Sequence, residues 1–277
     1  MSKVLKIMRT SWLSVVALFI LTIAIFGTLN YYLKDTAMII GHKMTDVRGV
    51  FFEILIYQSW YIIFLVPLSV MLLIIDEWHN KFKNGNIKNY LTRMSYKEFK
   101  KKLFFSSLKT ALIYPLVLFI FLLISVILAK GGNDISSMIE YGGYYDASTY
   151  HHFPSFISKT TILLYIQGVL VSFYSLLFLN KTKNKILIIL FTFITWIISL
   201  VALHVIPYMF LDLYFNYKID STYITFYTFL LYNNPKINFP LYLLALSTVT
   251  FLLFAINYFI IYKNKEKVVI TNEKEMV

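Results

Sequence analysis

A chain of 277 residues that is 58% hydrophobic and only 14% charged lies far from the composition of a soluble domain and reads as an integral membrane protein. Its 26 Lys and Arg against 14 Asp and Glu give a formal charge of +12, and in so apolar a chain a basic excess reflects topology and calls for no nucleic-acid partner. The lack of Cys excludes disulfides, thiolate metal sites and cysteine nucleophiles, so helix packing has to hold the fold.

Six stretches meet the requirement of about 20 mainly apolar residues for a spanning helix: 11–33, 51–75, 104–129, 160–179, 186–206 and 241–262. The first follows Lys3, Lys6 and Arg9, but it is longer than a signal-peptide core and no A-x-A site follows it, so a retained span is expected. Each run is continuously apolar, without the alternation of a barrel strand, which leaves helices as the spanning element. Pro67 and Pro115 fall inside the second and third runs, where they are expected to bend the helix. No internal repeat or linker divides the chain, and residues 1–277 read as one all-α membrane domain.

Basic residues orient the spans. Lys3, Lys6 and Arg9, then Lys81 through Lys109, then Lys181, Lys183 and Lys185, and finally Lys263, Lys265, Lys267 and Lys274 all fall on one side if the N-terminus is inside. Lys34, Lys43, Arg48, Lys130, Lys159, Lys218 and Lys236 are what remains for the other side. Both termini are therefore expected in the cytoplasm. On the outer side, 130–158 is a polar, Gly- and Tyr-rich segment. Residues 207–240 are apolar in pieces too short to cross, which predicts re-entrant or interfacial helices between spans five and six.

The most charged part of the chain, NGNIKNYLTRMSYKEFKKKLFF over residues 84–105, lies between spans two and three on the predicted cytoplasmic side. Ile87, Tyr90, Leu91 and Met94 repeat at i, i+3, i+4 and i+7, one apolar stripe on a short helix. Ser95-x-x-Glu98 then matches a capping box, the start of a new helix that runs into span three. Two readings fit such a stripe: it lies on lipid headgroups while Lys97 and Lys100 to Lys102 snorkel to phosphates, or it docks in a groove of a cytoplasmic partner.

This layout resembles the permease subunits of type 2 ATP-binding-cassette exporters. Their cytoplasmic element after span two carries a Glu, a Gly-Thr, a Leu pair, a Pro-x-Ser-Arg turn and a closing Lys. The matching positions here are Glu77, Gly85 followed by Asn86, Tyr90-Leu91, Ser95 and Lys102. Met94 stands where Pro is usual, Tyr96 where Arg is usual, and the turn is one residue short. The resemblance implies a coupling helix built on Glu77, Gly85, Ile87, Tyr90, Leu91, Met94, Ser95 and Glu98 that seats in a separate ATPase subunit. It implies a second permease as homodimer or heterodimer partner and a multi-pass location in a bacterial plasma membrane. No G-x-x-x-x-G-K-[ST] loop occurs in the chain, so this subunit is expected to hold no cofactor and to be no enzyme by itself, ATP and Mg being bound by the partner.

Catalytic and metal-ligating candidates are few. Glu53, Asp76 and Glu77 fall at span ends, His204 reads as a packing residue, and His151-His152 with Asp146 lacks a ligand spacing; no catalytic or metal residue is assigned. Gln58, Tyr61, Gln167 and Tyr174 are the polar or aromatic span residues expected along a substrate pathway, and an apolar, aromatic interface favours a hydrophobic or amphipathic cargo such as a peptide. Two other function classes stay open: an ATPase-independent secondary transporter or channel, which needs ion ligands or unwound helices at mid-membrane, and a membrane sensor or assembly protein.

Overall fold

In a computed structural model of the chain, the residues described are 47–57, 61–82, 86–129, 152–182, 184–215 and 239–263, with residues 16, 17, 19 and 22 besides. The expected first span lies almost wholly outside them, as do residues 130–151 of the polar segment after span three and 216–238 of the expected re-entrant segment before the last span. Among the described residues every regular element is a helix. They are α1 (Val47–Tyr57), a π-helical turn π1 (Tyr61–Leu65), α2 (Val66–Phe82), α3 (Asn86–Arg93), α4 (Tyr96–Ala111), α5 (Ile113–Leu128), α6 (Phe153–Leu179), α7 (Lys185–Phe215), α8 (Phe239–Ala255) and π2 (Ile256–Ile261).

Element bounds depart from the apolar runs for local reasons. The run 51–75 is not one α-helix: a π turn precedes Pro67, where the missing amide withholds the hydrogen bond that the Ile63 carbonyl would accept and the ladder widens. Pro115 interrupts the third run too, but with a tightened turn. The α-helical ladder is interrupted at Leu112, whose amide donates back to the Lys109 carbonyl at 3.2 Å, and the Ala111 carbonyl has no amide at position 115 to receive. α7 carries on through Pro207 to Phe215, past the expected end at Ile206, as a proline in apolar surroundings allows.

The centre of the bundle is α6, on which α2, α4, α5, α7 and α8 all pack. Its residues from Gln167 to Leu176 are buried without a break. The hydroxyls of Ser172 and Ser175 donate to their own helix, to the Gly168 carbonyl at 2.8 Å and the Val171 carbonyl at 3.1 Å, so these small residues present little polarity to their neighbours. Gly168 marks the closest approach, with space for hydrogen only between α6 and the Ala111 carbonyl.

Antiparallel packing brings corresponding ends together. At one end Phe51 and Phe52 of α1 meet Phe153 and Phe156 at the start of α6, ring centroids 5.0–5.6 Å apart. At the other, the end of α2, the start of α4, the end of α6, the start of α7 and the end of π2 converge.

Among the described residues, two helices are long and apolar enough to cross a membrane, Tyr96–Leu128 and Phe153–Leu179. The second is mostly enclosed, but the first is faced in a way a water-soluble core would not choose. Leu112, Leu116, Phe119, Leu123, Val126 and Ile127 are all exposed, Ile127 to 77%, and their spacing of three and four residues makes one outward stripe. Leu187, Leu190, Phe191, Ile194 and Ile198 of α7 form a second, and Leu244, Phe251, Leu252, Phe259 and Ile260 of α8 and π2 a third. Outward apolar faces on this scale require an apolar neighbour, which a bilayer supplies. From Phe105 to Ile127 the outward face of α4 and α5, apolar but for the exposed Lys109, is about 33 Å long at 1.5 Å per residue, against about 30 Å for a hydrocarbon core.

Candidate functional site

The converging helix ends carry most of the described polar chemistry. The Asp76 carboxylate, buried near the end of α2, pairs with Lys185 Nζ at the start of α7, 3.5 Å away. Each sits at the terminus its own helix dipole disfavours, and each offsets the other. Glu77 accepts from Lys81 Nζ at 3.2 Å with one oxygen and from the Ser106 hydroxyl with the other, which clasps α2 to α4. The Lys81 ammonium also lies 3.7 Å from the Trp78 ring centroid, a cation over an aromatic face.

Beneath this polar layer lies an aromatic one. Phe99 takes the rings of Trp78, Phe82 and Tyr96 at 5.7–5.9 Å. One turn deeper, Phe104 takes Phe173, Phe254, Tyr258 and Tyr262 at 5.2–6.2 Å. Tyr96 Oη donates to the Tyr262 carbonyl at 2.8 Å, and Tyr262 Oη donates to the Leu176 carbonyl at 2.8 Å. The last helix is thus tied at once to the start of α4 and to the end of α6.

A π-helical turn makes this double tie possible. On an α-helix, residues five apart point about 140° away from each other. In π2 the Tyr262 amide donates to the Asn257 carbonyl at 2.8 Å, an i→i+5 bond that brings the two residues into line. Asn257 Nδ2 then reaches the Phe173 carbonyl of α6 at 3.2 Å as well as the Leu253 carbonyl at 2.9 Å, and both residues face α6.

The short helix and turn expected between spans two and three are present. α3 covers Asn86–Arg93, and Ser95 caps α4: the Glu98 amide donates to Ser95 Oγ at 3.2 Å and the Ser95 amide to Glu98 Oε2 at 3.0 Å. Ser95→Ala removes half of this box and is expected to lower the stability of the chain by about 1 kcal/mol, read as a small fall in thermal midpoint that Ser95→Thr does not produce.

Part of the apolar stripe of α3 turns into the chain itself. Leu91, expected on the face offered to an ATPase, is 7% exposed and belongs to the chain's own core, and Met94 is half-buried against the same core. An eight-residue helix is too short to hold itself, and it is anchored through these side chains. The residues α3 turns outward are Asn89, Thr92 and Arg93. Ile87 and Tyr90 lie on α3 with side chains outside the described set, and Gly85 lies outside it altogether.

Of the expected pathway residues, Gln58 lies outside the described residues and only the backbone of Tyr61 lies within them. Gln167 and Tyr174 are seven residues apart on one face of α6, and both are buried. The Gln167 amide oxygen has no hydrogen-bond partner, while the Ser199 hydroxyl of α7 donates to the Trp196 carbonyl of its own helix at 2.8 Å. Both lie on α6, the helix enclosed by the rest of the described bundle.

Sequence reading did not single out Asn257, Tyr258 or Tyr262. Asn257 carried a usable signal, an amide in the last third of a largely apolar run. Nothing in the sequence marks Tyr262 as the partner of Tyr96, 166 residues away. The chemistry of the site is that of attachment: Asp76, Glu77 and Glu98 all hold structural partners, and among the described residues no three metal-ligating side chains converge. Compared with family models, with curated proteins and with solved structures, the chain matches none of them.

Proposed function

We propose that the chain is the permease subunit of an ATP-driven exporter, a six-span protein of a bacterial plasma membrane with both termini in the cytoplasm. It works with a separate ATPase that binds ATP and Mg, and with a second permease subunit, to move a hydrophobic or amphipathic cargo, peptides foremost, out of the cell. The observation that supports this reading most directly is the outward face of α3. The outward stripes of α5, α7 and α8 are apolar, as lipid requires. That of α3 bears Asn89, Thr92 and Arg93 at the lysine-rich end, which suits a hydrated protein surface better than acyl chains. In this reading Leu91 and Met94 fasten α3 to the bundle, and the partner grips the polar face. Movement of α3 passes through the capped start of α4, and the Glu77 to Ser106 clasp carries it to α2.

A photo-crosslinker placed at Thr92 in cells of the source organism tests this. The expected product is a cross-link to a protein bearing a phosphate-binding loop, lost together with at least about tenfold of export activity in Arg93→Glu, since a reversed charge at a close interface pair costs more than about 1.4 kcal/mol. Cross-links to phospholipid alone would sink the proposal. The widened turns at Tyr61–Leu65 and Ile256–Ile261 favour a second reading, because interrupted helices are how ATPase-independent transporters build ion and substrate sites. Full transport by the purified chain in liposomes without any ATPase would select that reading.

A further inference from the structure

Four lysines stand together where α4 begins and π2 ends. The bond from Tyr96 Oη to the Tyr262 carbonyl joins the start of α4 to the end of π2, and the residue that follows each tyrosine, Lys97 and Lys263, is exposed. Lys100 and Lys101 follow one turn along α4. Lys100 is half-buried, its ammonium 3.8 Å from the Tyr258 ring centroid and 5.8 Å from that of Tyr96, so an aromatic wall fixes its position in place of a carboxylate. The one acidic side chain of α4, Glu98, folds back on the Ser95 amide. Among the described residues, four lysines therefore lie around this joint, and the single carboxylate of α4 is already engaged in a helix cap.

Each lysine column continues into exposed apolar surface. On α4, Lys101 is followed four residues on by Phe105 and then by Leu108 and Leu112, which are all exposed. On π2, Lys263 is preceded three residues back by Ile260 and then by Phe259, again exposed. Cations above and a greasy wall below are the two halves of a site for an amphiphile with an anionic head. From this charge complementarity and this order along the helices, we infer that the cleft between α4 and π2 binds an anionic phospholipid, its phosphate among Lys97, Lys100, Lys101 and Lys263 and its acyl chains against Phe105 and Ile260. The inference rests on the membrane reading above and adds the class of lipid and its position. A bound headgroup bridges α4 to the last helix at the point where Tyr96 and Tyr262 already join them, so the lipid also locks that joint.

Native mass spectrometry of the full chain, released from micelles containing equal amounts of phosphatidylglycerol and phosphatidylcholine, tests it. The expected result is retention of the anionic lipid at least about tenfold over the zwitterionic one. A basic residue at an anionic surface contributes about 1 kcal/mol, so Lys100→Gln should weaken retention about fivefold. Changing all four lysines to Gln should bring phosphatidylglycerol down to the level of phosphatidylcholine. Lys100→Arg should keep the preference, and Lys181→Gln, at the same end of the bundle but outside the cleft, should leave it unchanged. Unaltered helical circular dichroism and melting in phosphatidylcholine separate lost binding from lost fold. The inference is overturned by equal retention of the two lipids, by a loss in Lys181→Gln as large as in Lys100→Gln, or by inorganic phosphate or polyglutamate occupying the lysines in place of phospholipid. A chain that cannot be inserted into vesicles at all fails the membrane reading; one that inserts and shows no lipid preference fails this inference alone.

Discussion

Gly168→Leu is expected to prevent the bundle from assembling, and Gly168→Ala to leave a folded but weakened chain. A Cβ at this position would stand 2.9 Å from the Ala111 carbonyl oxygen, 2.9 Å from Tyr114 Cδ2 and 3.0 Å from Ala111 Cα. Two of the three are backbone atoms and cannot swing aside, while the Tyr114 ring is fully buried. Overpacking of this kind costs about 1–3 kcal/mol. Alanine recovers up to about 1 kcal/mol of helix propensity, which is too little to reverse the sign. Taking about 2–4 °C per kcal/mol for a chain approaching this size, thermal melting in detergent should show Gly168→Ala several degrees below wild type, and Gly168→Leu should be recovered mainly as aggregate. A Gly168→Ala protein that melts at or above wild type would refute the close approach. Pro115→Ala should partly relieve the alanine variant. It returns the amide that the Ala111 carbonyl lacks and lets α4 and α5 straighten away from α6, so the two changes should be non-additive.

The second large effect is expected at Asn257. Its Nδ2 donates to the Phe173 and Leu253 carbonyls from a fully buried position. Asn257→Asp keeps the shape but sets a carboxylate, which only accepts, against two carbonyl oxygens in an apolar interior. The penalty should reach about 3 kcal/mol or more, seen as a fall of about 6 °C or more in midpoint. Asn257→Leu removes the two donated bonds without adding a charge and should cost about 1–2 kcal/mol. The ranking wild type, Leu, Asp is the test: an Asp variant as stable as wild type would mean that the amide does not join π2 to α6. Tyr262→Phe, which removes only the bond to the Leu176 carbonyl, should fall close to the Leu variant.

Features that depend on neighbours three or four residues apart are legible in the sequence. Ser95 and Glu98 form the box their spacing predicts, because both of its bonds close within one turn. The apolar runs that fall within the described residues are helices for a similar reason, since a backbone in apolar surroundings has no other way to satisfy its own amides. The prolines were legible as places of interruption. The forms the interruptions took, a widened turn before Pro67 and a break opposite Gly168 at Pro115, depend on the helix packed alongside.

Which way a stripe faces was not legible. Ile87, Tyr90, Leu91 and Met94 repeat at a helical period whether the ridge meets lipid, a partner or the chain itself, and at Leu91 it meets the chain itself. By itself the sequence determined that the chain is apolar, helical and asymmetric in charge, because composition and short-range spacing carry that information in full. Tertiary structure alone decided that Tyr96 meets Tyr262, that Asp76 meets Lys185, and that α6 is enclosed while α5 turns leucines and phenylalanines outward. These are pairings across scores of residues, selected by which packing of the helices buries polar groups against partners and leaves an apolar surface for the membrane.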